Sequence, residues 1–264
     1  MMANASTADG MATAHADPIP RRIGMADLWT ALSRGYDDFL AAPTQLIFLG
    51  IIYPIIGLIA ARFASGDGLP LLYPLVAGLS LMGPLAAVGI YELSRRREQG
   101  AEVSWVNALD VIHSPSLPAI IGLGLILCVI FVAWLFAAQM VYWATMGNWI
   151  PTSIGDFFGR ILGTREGWNL ILIGNAVGFL FAVLVLTITV VSFPMLIDRP
   201  VGVRVAIRTS IRAVLMNPGP MAVWGLIVAA LLLVGCLPLF VGLAVVMPLL
   251  GHATWHLYRQ VVGS

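Results

Sequence analysis

The sequence predicts an all-α, polytopic membrane helix bundle: six transmembrane helices built as three parallel repeats, each an interfacial amphipathic helix followed by a two-span hairpin. Three observations lead there. Apolar residues make up 59% of the chain and charged residues 10%, and the mean hydropathy is +0.93. A soluble domain carries about 25% charged residues, so this chain has too little polar surface to cover so large an apolar content in water. Apolar runs recur at bilayer length. A plan of amphipathic segment, proline punctuation and apolar run also occurs more than once.

Residues 1–22 are small and polar with Pro18 and Pro20. They lack an apolar core segment and read as a disordered tail rather than a signal peptide. Residues 23–264 read as one membrane domain, with repeats at about 27–99, 103–199 and 203–260. A hydrocarbon layer of about 30 Å calls for about 20 mostly apolar residues per helix. That ruler sets spans at Thr44–Phe63, Pro70–Tyr91, Pro118–Thr145, Trp168–Ile197, Gly219–Gly235 and Leu237–Tyr258. The third and fourth exceed it and are expected to tilt or project.

The repeat is clearest between the first and last copies. Ala31, Leu32, Pro43 and Gly50 fall opposite Ala206, Ile207, Pro218 and Gly225 with no gap. The middle copy, Trp105 to Pro118, is one residue shorter. Each copy's second span carries a proline in its inner half: Pro84, Pro194 and Pro248. Copies with an even number of spans share one orientation, so the repeat is parallel.

The leading segments read as helices resting in the membrane surface. In the first, Leu28, Trp29, Leu32, Tyr36, Phe39 and Leu40 share one side, with Arg34, Asp37 and Asp38 opposite. In the second, Trp105, Val106, Leu109 and Ile112 oppose Asn107 and Asp110. In the third, Val203, Ile207, Ile211, Val214 and Leu215 oppose Arg204, Arg208 and Arg212. Asp27 and Ser104 are the expected N-caps. Between the third and fourth spans, Thr152–Leu162 is expected to form a short interfacial helix.

Orientation follows arginine. With both termini on one side, 11 of the 14 basic residues share that side, against Arg62, Arg160 and Arg165. Both termini are therefore expected in the cytoplasm.

Few residues offer chemistry. His252 and His256 lie one helical turn apart, with His113 at similar depth on the second surface helix; together they are the candidate ligands for haem or a metal. The intervening Ala253, Thr254 and Trp255 exclude the H-E-x-x-H pattern of zinc hydrolases. Glu92, Asp198 and His252 end the second, fourth and sixth spans, as a cytoplasmic polar collar or as solvated end-caps. Gly174, Gly178 and Ala182 form a small-residue ridge suited to close helix packing, and a Gln139–Asn175 hydrogen bond would pin the central hairpin. Cys128 and Cys236 make no C-x-x-C or Cys/His pattern and read as small apolar side chains. No catalytic residue is assigned and no bound cofactor is expected. The net charge of +1 and the lack of any basic block argue against nucleic acid.

Ser192-Phe-Pro-Met-Leu-Ile-Asp-Arg199, Asn217-Pro-Gly-Pro-Met-Ala-Val-Trp-Gly225 and the stretch Leu249 to Arg259 resemble a family of predicted bacterial integral membrane proteins, domain of unknown function 2189. The resemblance runs from about Ile23 to the C-terminus. It implies a bacterial inner-membrane location, is in keeping with six spans, and supplies no catalytic residues. The leading functional expectation is a non-enzymatic accessory or assembly component of a membrane complex, with lipids and other membrane subunits as partners. The alternatives are a passive transporter of a small or lipid-like substrate and a haem- or metal-binding redox accessory protein.

Overall fold

The computed structural model describes residues 18–41, 55, 69–238 and 240–263. The first predicted span, Thr44–Phe63, lies outside the described residues except for Ile55. Among the described residues the regular structure is helical.

The chain runs through α1 (Met25–Ala41), α2 (Leu69–Leu81), α3 (Gly83–Ala86), α4 (Val88–Glu98), a 3-10 helix (Trp105–His113) and α5 (Leu117–Met146). It continues through α6 (Ile154–Gly163), α7 (Arg165–Thr189), α8 (Ser192–Asp198), α9 (Val203–Met216), α10 (Pro218–Cys236) and α11 (Leu243–Val262).

Among the described residues, three helical stretches are long and apolar enough to cross a bilayer: Leu117–Met146, Arg165–Asp198 and Pro218–Cys236. They coincide with the third, fourth and fifth predicted spans. The second predicted span is divided instead. Its apolar helix, Pro70–Leu81, is shorter than a bilayer crossing, and the chain breaks at Met82 before Pro84 enters at the start of α3. A proline there lacks the N–H that a continuing helix would need, whereas a first-turn position needs none. The sixth span begins later than predicted, at Leu243, after turns around Leu237 to Gly242, and carries Pro248 inside the helix. Pro194 marks a similar break, where α7 ends and α8 begins two residues after Val190.

Beyond each proline the chain changes character. α4, α8 and the second half of α11 pack on one another pairwise. Their contact holds the best-buried side chains, among them Leu93, Phe193, Met195, Leu196, Trp255, Leu257 and Tyr258. Gly251 lets α11 approach α4 so closely that a Cβ there would lie 2.8 Å from Ile90 Cγ2. At the far end of the bundle, α2, α5 and α7 close around Trp134. Its indole donates to Pro74 O at 2.7 Å, and Gly78 and Gly178 leave the room its ring fills. Gly178 of the predicted ridge thus packs internally. Gly174 meets nothing within 4 Å and Ala182 is exposed.

The leading segments fall partly as expected. Trp105, Val106, Leu109 and Ile112 are exposed together, but their helix is 3-10 rather than α. Asp27 is not the N-cap of α1. It sits in the first turn and its carboxylate accepts from the Gly24 N–H at 2.7 Å. The Asn107 side chain accepts from the Ser104 N–H at 2.9 Å, so residue 104 does begin its helix. The α1 face is rotated relative to the prediction: Leu28, Ala31, Gly35, Asp38 and Phe39 are buried, while Trp29, Tyr36 and Leu40 are exposed. In α9 the buried side is Ala206, Thr209, Ser210 and Ala213. The bulky aliphatics of its apolar face flank this buried side. Small residues allow helices to approach closely in lipid, which explains why they and not the aliphatics face the protein.

Asn217 ends α9 and begins α10, and it also ties down the N-terminal segment. Its Oδ1 accepts from Ile23 N–H at 2.8 Å, and its Nδ2 donates to Arg21 O at 2.9 Å and Ala213 O at 3.0 Å. It is buried, and Asn217→Ala strips the part-buried Ile23 N–H and Arg21 carbonyl of this partner, while Ala213 O keeps the backbone N–H of residue 217. We expect a loss of about 2 kcal/mol, read as a lower melting temperature in detergent and faster proteolysis before Met25.

Candidate functional site

The densest polar arrangement lies where α1, α4 and α11 meet. Asp38 is buried on α1, and its two oxygens serve three partners. Oδ2 accepts from the Ser94 hydroxyl at 2.7 Å and pairs with His256 Nε2 at 2.8 Å. Oδ1 lies 3.2 Å from Arg97 Nε. Arg97 also donates to Asp37 O at 2.8 Å, gripping the end of α1.

Ser94 passes the chain of bonds onward, with its Oγ 2.7 Å from His252 Nδ1. Because the hydroxyl proton goes to Asp38, His252 donates from Nδ1. Its Nε2 is then a bare lone pair, buried and without a hydrogen-bond partner among the described residues. His252 Nδ1 is itself 3.9 Å from Asp38 Oδ2.

Burial raises the carboxyl pKa of Asp38, but hydrogen bonds from His256 and Ser94 and the nearby histidines outweigh it, so the group is held below its ordinary 3.8. The carboxylate is therefore the stable form, and one charge joins three helices from distant parts of the chain.

Two neighbouring pairings complete the polar end. Glu92, nearly fully buried, accepts from Arg95 at 2.7 and 2.8 Å and from Arg96 at 2.9 Å. Arg96 reaches on to Asp110 within the 3-10 helix at 2.7 Å. On the α8 side, Asp198 accepts from Tyr258 Oη at 2.6 Å and from Arg259 Nη1 at 3.2 Å. Arg259 then meets Glu98 at 3.0 Å, and Glu98 also accepts from the Trp255 indole at 3.2 Å. Helix ends α4, α8 and α11 are thereby cross-linked by charge-assisted bonds.

The predicted site residues are distributed accordingly. Glu92, Asp198 and His252 do share one end of the bundle, but each has its own partners, and Glu92 and His252 are buried rather than solvated. His252 and His256 face the same cluster. His113 does not join them: it is exposed at the end of the 3-10 helix. Among the described residues no group of three His, Cys, Asp or Glu side chains is placed to hold a metal ion. The three histidines are therefore not gathered into one three-ligand group for a metal ion.

Gln139 and Asn175 are not bonded to each other. Asn175 accepts from Tyr73 Oη of α2 at 3.0 Å and donates to Ile171 O. Gln139 lines an open cleft of about 300 Å³ with Tyr142, Trp143 and Trp149 at the opposite end of the bundle. The Tyr73 bond is exposed, so Tyr73→Phe is expected to shift stability by less than about 0.6 kcal/mol, a null result that thermal melting can check.

Asp38, Ser94, Glu98 and Tyr258 share this arrangement with Arg97, and sequence reasoning passed over those four as functional residues. The available signal was local: Ser94 and Arg97 lie two and five residues after Glu92 on the same short helix, beyond the proline break.

Comparison with known proteins gives one match. The model of a family described as predicted integral membrane protein, DUF2189, matches residues 72–198. That is narrower than the expected Ile23-to-C-terminus resemblance, and it stops at Asp198, the last residue of α8. No curated protein and no solved structure matches the chain. Over residues 72–198, from the apolar helix α2 to the polar end of α8, this chain matches the DUF2189 family of predicted integral membrane proteins.

Proposed function

We propose that the protein is a non-enzymatic accessory or assembly component of the bacterial inner membrane, with six spans, three parallel repeats and both termini in the cytoplasm. The observation that carries this reading is the outward commitment of two spans. In α10 only 17% of the apolar span is buried within the protein, and in α5 only 28%. Leu226 and Leu233 of α10, and Leu125, Val129 and Phe136 of α5, stand at least 61% exposed. Helices so lightly covered by their own chain offer long apolar faces to lipid or to another membrane subunit.

Packing order supports the three repeats. α1, which leads the first, packs on α11 of the third; the 3-10 helix, which leads the second, packs on α4 of the first; α9, which leads the third, packs on α7 and α8 of the second. Each leading helix thus covers the second half of the preceding repeat, and the Asp38 cluster closes the cycle. The register that sets Ala31 opposite Ala206 also sets Gly35 opposite Ser210 and Asp38 opposite Ala213, and all six are buried.

Photo-crosslinkers placed at Leu226 and Leu233, with buried Leu93 as control, test the assembly role in native membranes. A partner recovered at fixed stoichiometry from the α10 positions is the expected result. Adducts to lipid alone, with a single species after mild extraction, would overturn it. Cysteines introduced near Pro18 and Gly263, with Cys128 and Cys236 replaced, should label from one side of the membrane; labelling from opposite sides would remove the six-span topology.

A further inference from the structure

We infer that the 3-10 helix Trp105–His113 is a lipid-contact element whose partner is the headgroup–acyl boundary of one leaflet. The inference rests on the membrane reading above and adds a contact surface which that reading does not use, with its residues and its register. Three residues per turn set every third side chain in a straight row. One row runs inward: Ala108 lies so close to α4 that a Cβ at Gly89 would be 2.9 Å from its own, and Val111 is buried. A second row is polar. Asn107 Nδ2 donates to Asp110 Oδ2 at 2.9 Å, Asp110 holds Arg96, and His113 follows, exposed. The third row is Val106, Leu109 and Ile112, exposed at 49%, 57% and 60%. At about 2 Å of rise per residue it makes a ridge about 12 Å long. In an α-helix each of these side chains would be turned about 60° from the one before, so the 3-10 winding is what keeps the aliphatic ridge straight.

Position identifies the partner. Residues 114–116 lead from this helix into α5 by a tight turn, with Ser114 N–H donating to Val111 O and Leu117 N–H to Ser114 O, each at 3.0 Å. The ridge therefore lies close to the first turn of Leu117–Met146, a stretch long and apolar enough to cross a bilayer. That helix carries its own exposed apolar side chains from Ile121 and Leu125 onward. An aliphatic ridge beside a polar row, fixed at the end of a span, matches a helix lying in the plane of the membrane surface. The inward row and the Arg96–Asp110 pair hold the helix to α4, so the ridge meets lipid as part of the folded body.

The test is spin-label accessibility in the full-length protein, reconstituted into vesicles of phosphatidylethanolamine and phosphatidylglycerol, with Cys128→Ala and Cys236→Ala as background. Labels are placed singly at exposed sites through Val106→Cys, Leu109→Cys, Ile112→Cys and His113→Cys, with Leu226→Cys as the lipid reference. Oxygen concentrates in lipid and a nickel chelate stays in water. The ratio of oxygen to nickel relaxation should lie above one at 106, 109 and 112 and below one at 113. Nickel access along the ridge equal to that at 113 would overturn the inference. A ridge that neither reagent reaches would overturn it too, because protein would then be its cover. If Leu226 favours oxygen while the ridge favours nickel, only this inference falls, whereas nickel access at Leu226 as well removes the membrane reading.

Discussion

Gly35→Ala should destabilise the protein by about 3 kcal/mol, the upper range for forcing extra volume into a packed core. Helix propensity alone argues for the opposite sign, since alanine is favoured over glycine by about 1 kcal/mol inside a helix. The packing term decides. A Cβ at residue 35 would lie 2.5 Å from both Cα and N of Ala253 and 2.7 Å from its Cβ. Those are backbone atoms of α11, fixed by neighbours on every side, so no rotamer change relieves the clash. α1 would have to lift from α11, pulling Asp38 away from His256 and Ser94. Gly174→Ala supplies the contrast. Its Cβ would meet nothing within 4 Å, so propensity should act unopposed and stability should hold or rise slightly. Thermal melting of the two variants in one detergent gives the comparison, and equal melting temperatures would show that α1 does not lie against α11 as described.

What was legible in the sequence was local. The apolar runs that became α5, α7 and α10 and the turn at Asn217 each depend on a few consecutive residues, whereas Pro84 and Pro194 were visible in their spans without showing that the helices would break there. The short helix after Ser153 was legible too, with Ser153 accepting from Asp156 N–H as its cap. Less legible was which side of an amphipathic helix faces the protein. Periodicity sorts residues by hydrophobicity, and in a membrane protein the bulky apolar side faces lipid as readily as protein. Hence Trp29, Tyr36 and Leu40 turned outward while Gly35 and Asp38 turned in. The Asp38 cluster was beyond reach for a second reason. A buried carboxylate is tolerable only with partners, and these come from 56 residues away for Ser94 and 218 for His256. Nothing near residue 38 announces them.

Removing that carboxylate should cost the most of any single polar change. Asp38→Ala leaves the Ser94 hydroxyl, the His256 ring and the Arg97 guanidinium without their shared acceptor, and losing one side of a buried pair costs about 3–5 kcal/mol. The contributions are unequal. Arg97 is 39% exposed at its side chain, so Arg97→Gln should cost about 0.5 kcal/mol. Ser94 and His256 are buried and account for most of the loss. The pH dependence has a defined sign. Asp38 titrates lower in the folded protein than its ordinary 3.8, so its carboxylate stabilises the fold fully above that value. The stabilisation is lost as pH falls through the folded value. His252, His256 and Arg97 are the charged or titratable groups that face it, and a proton on Asp38 removes the counter-charge they share. Melting temperature should therefore fall below about pH 4 in the unaltered protein and show a weaker acid limb in Asp38→Asn. An acid limb of equal depth in both would mean that another group controls acid unfolding, and that the carboxylate at residue 38 is not what holds the first helix to the last.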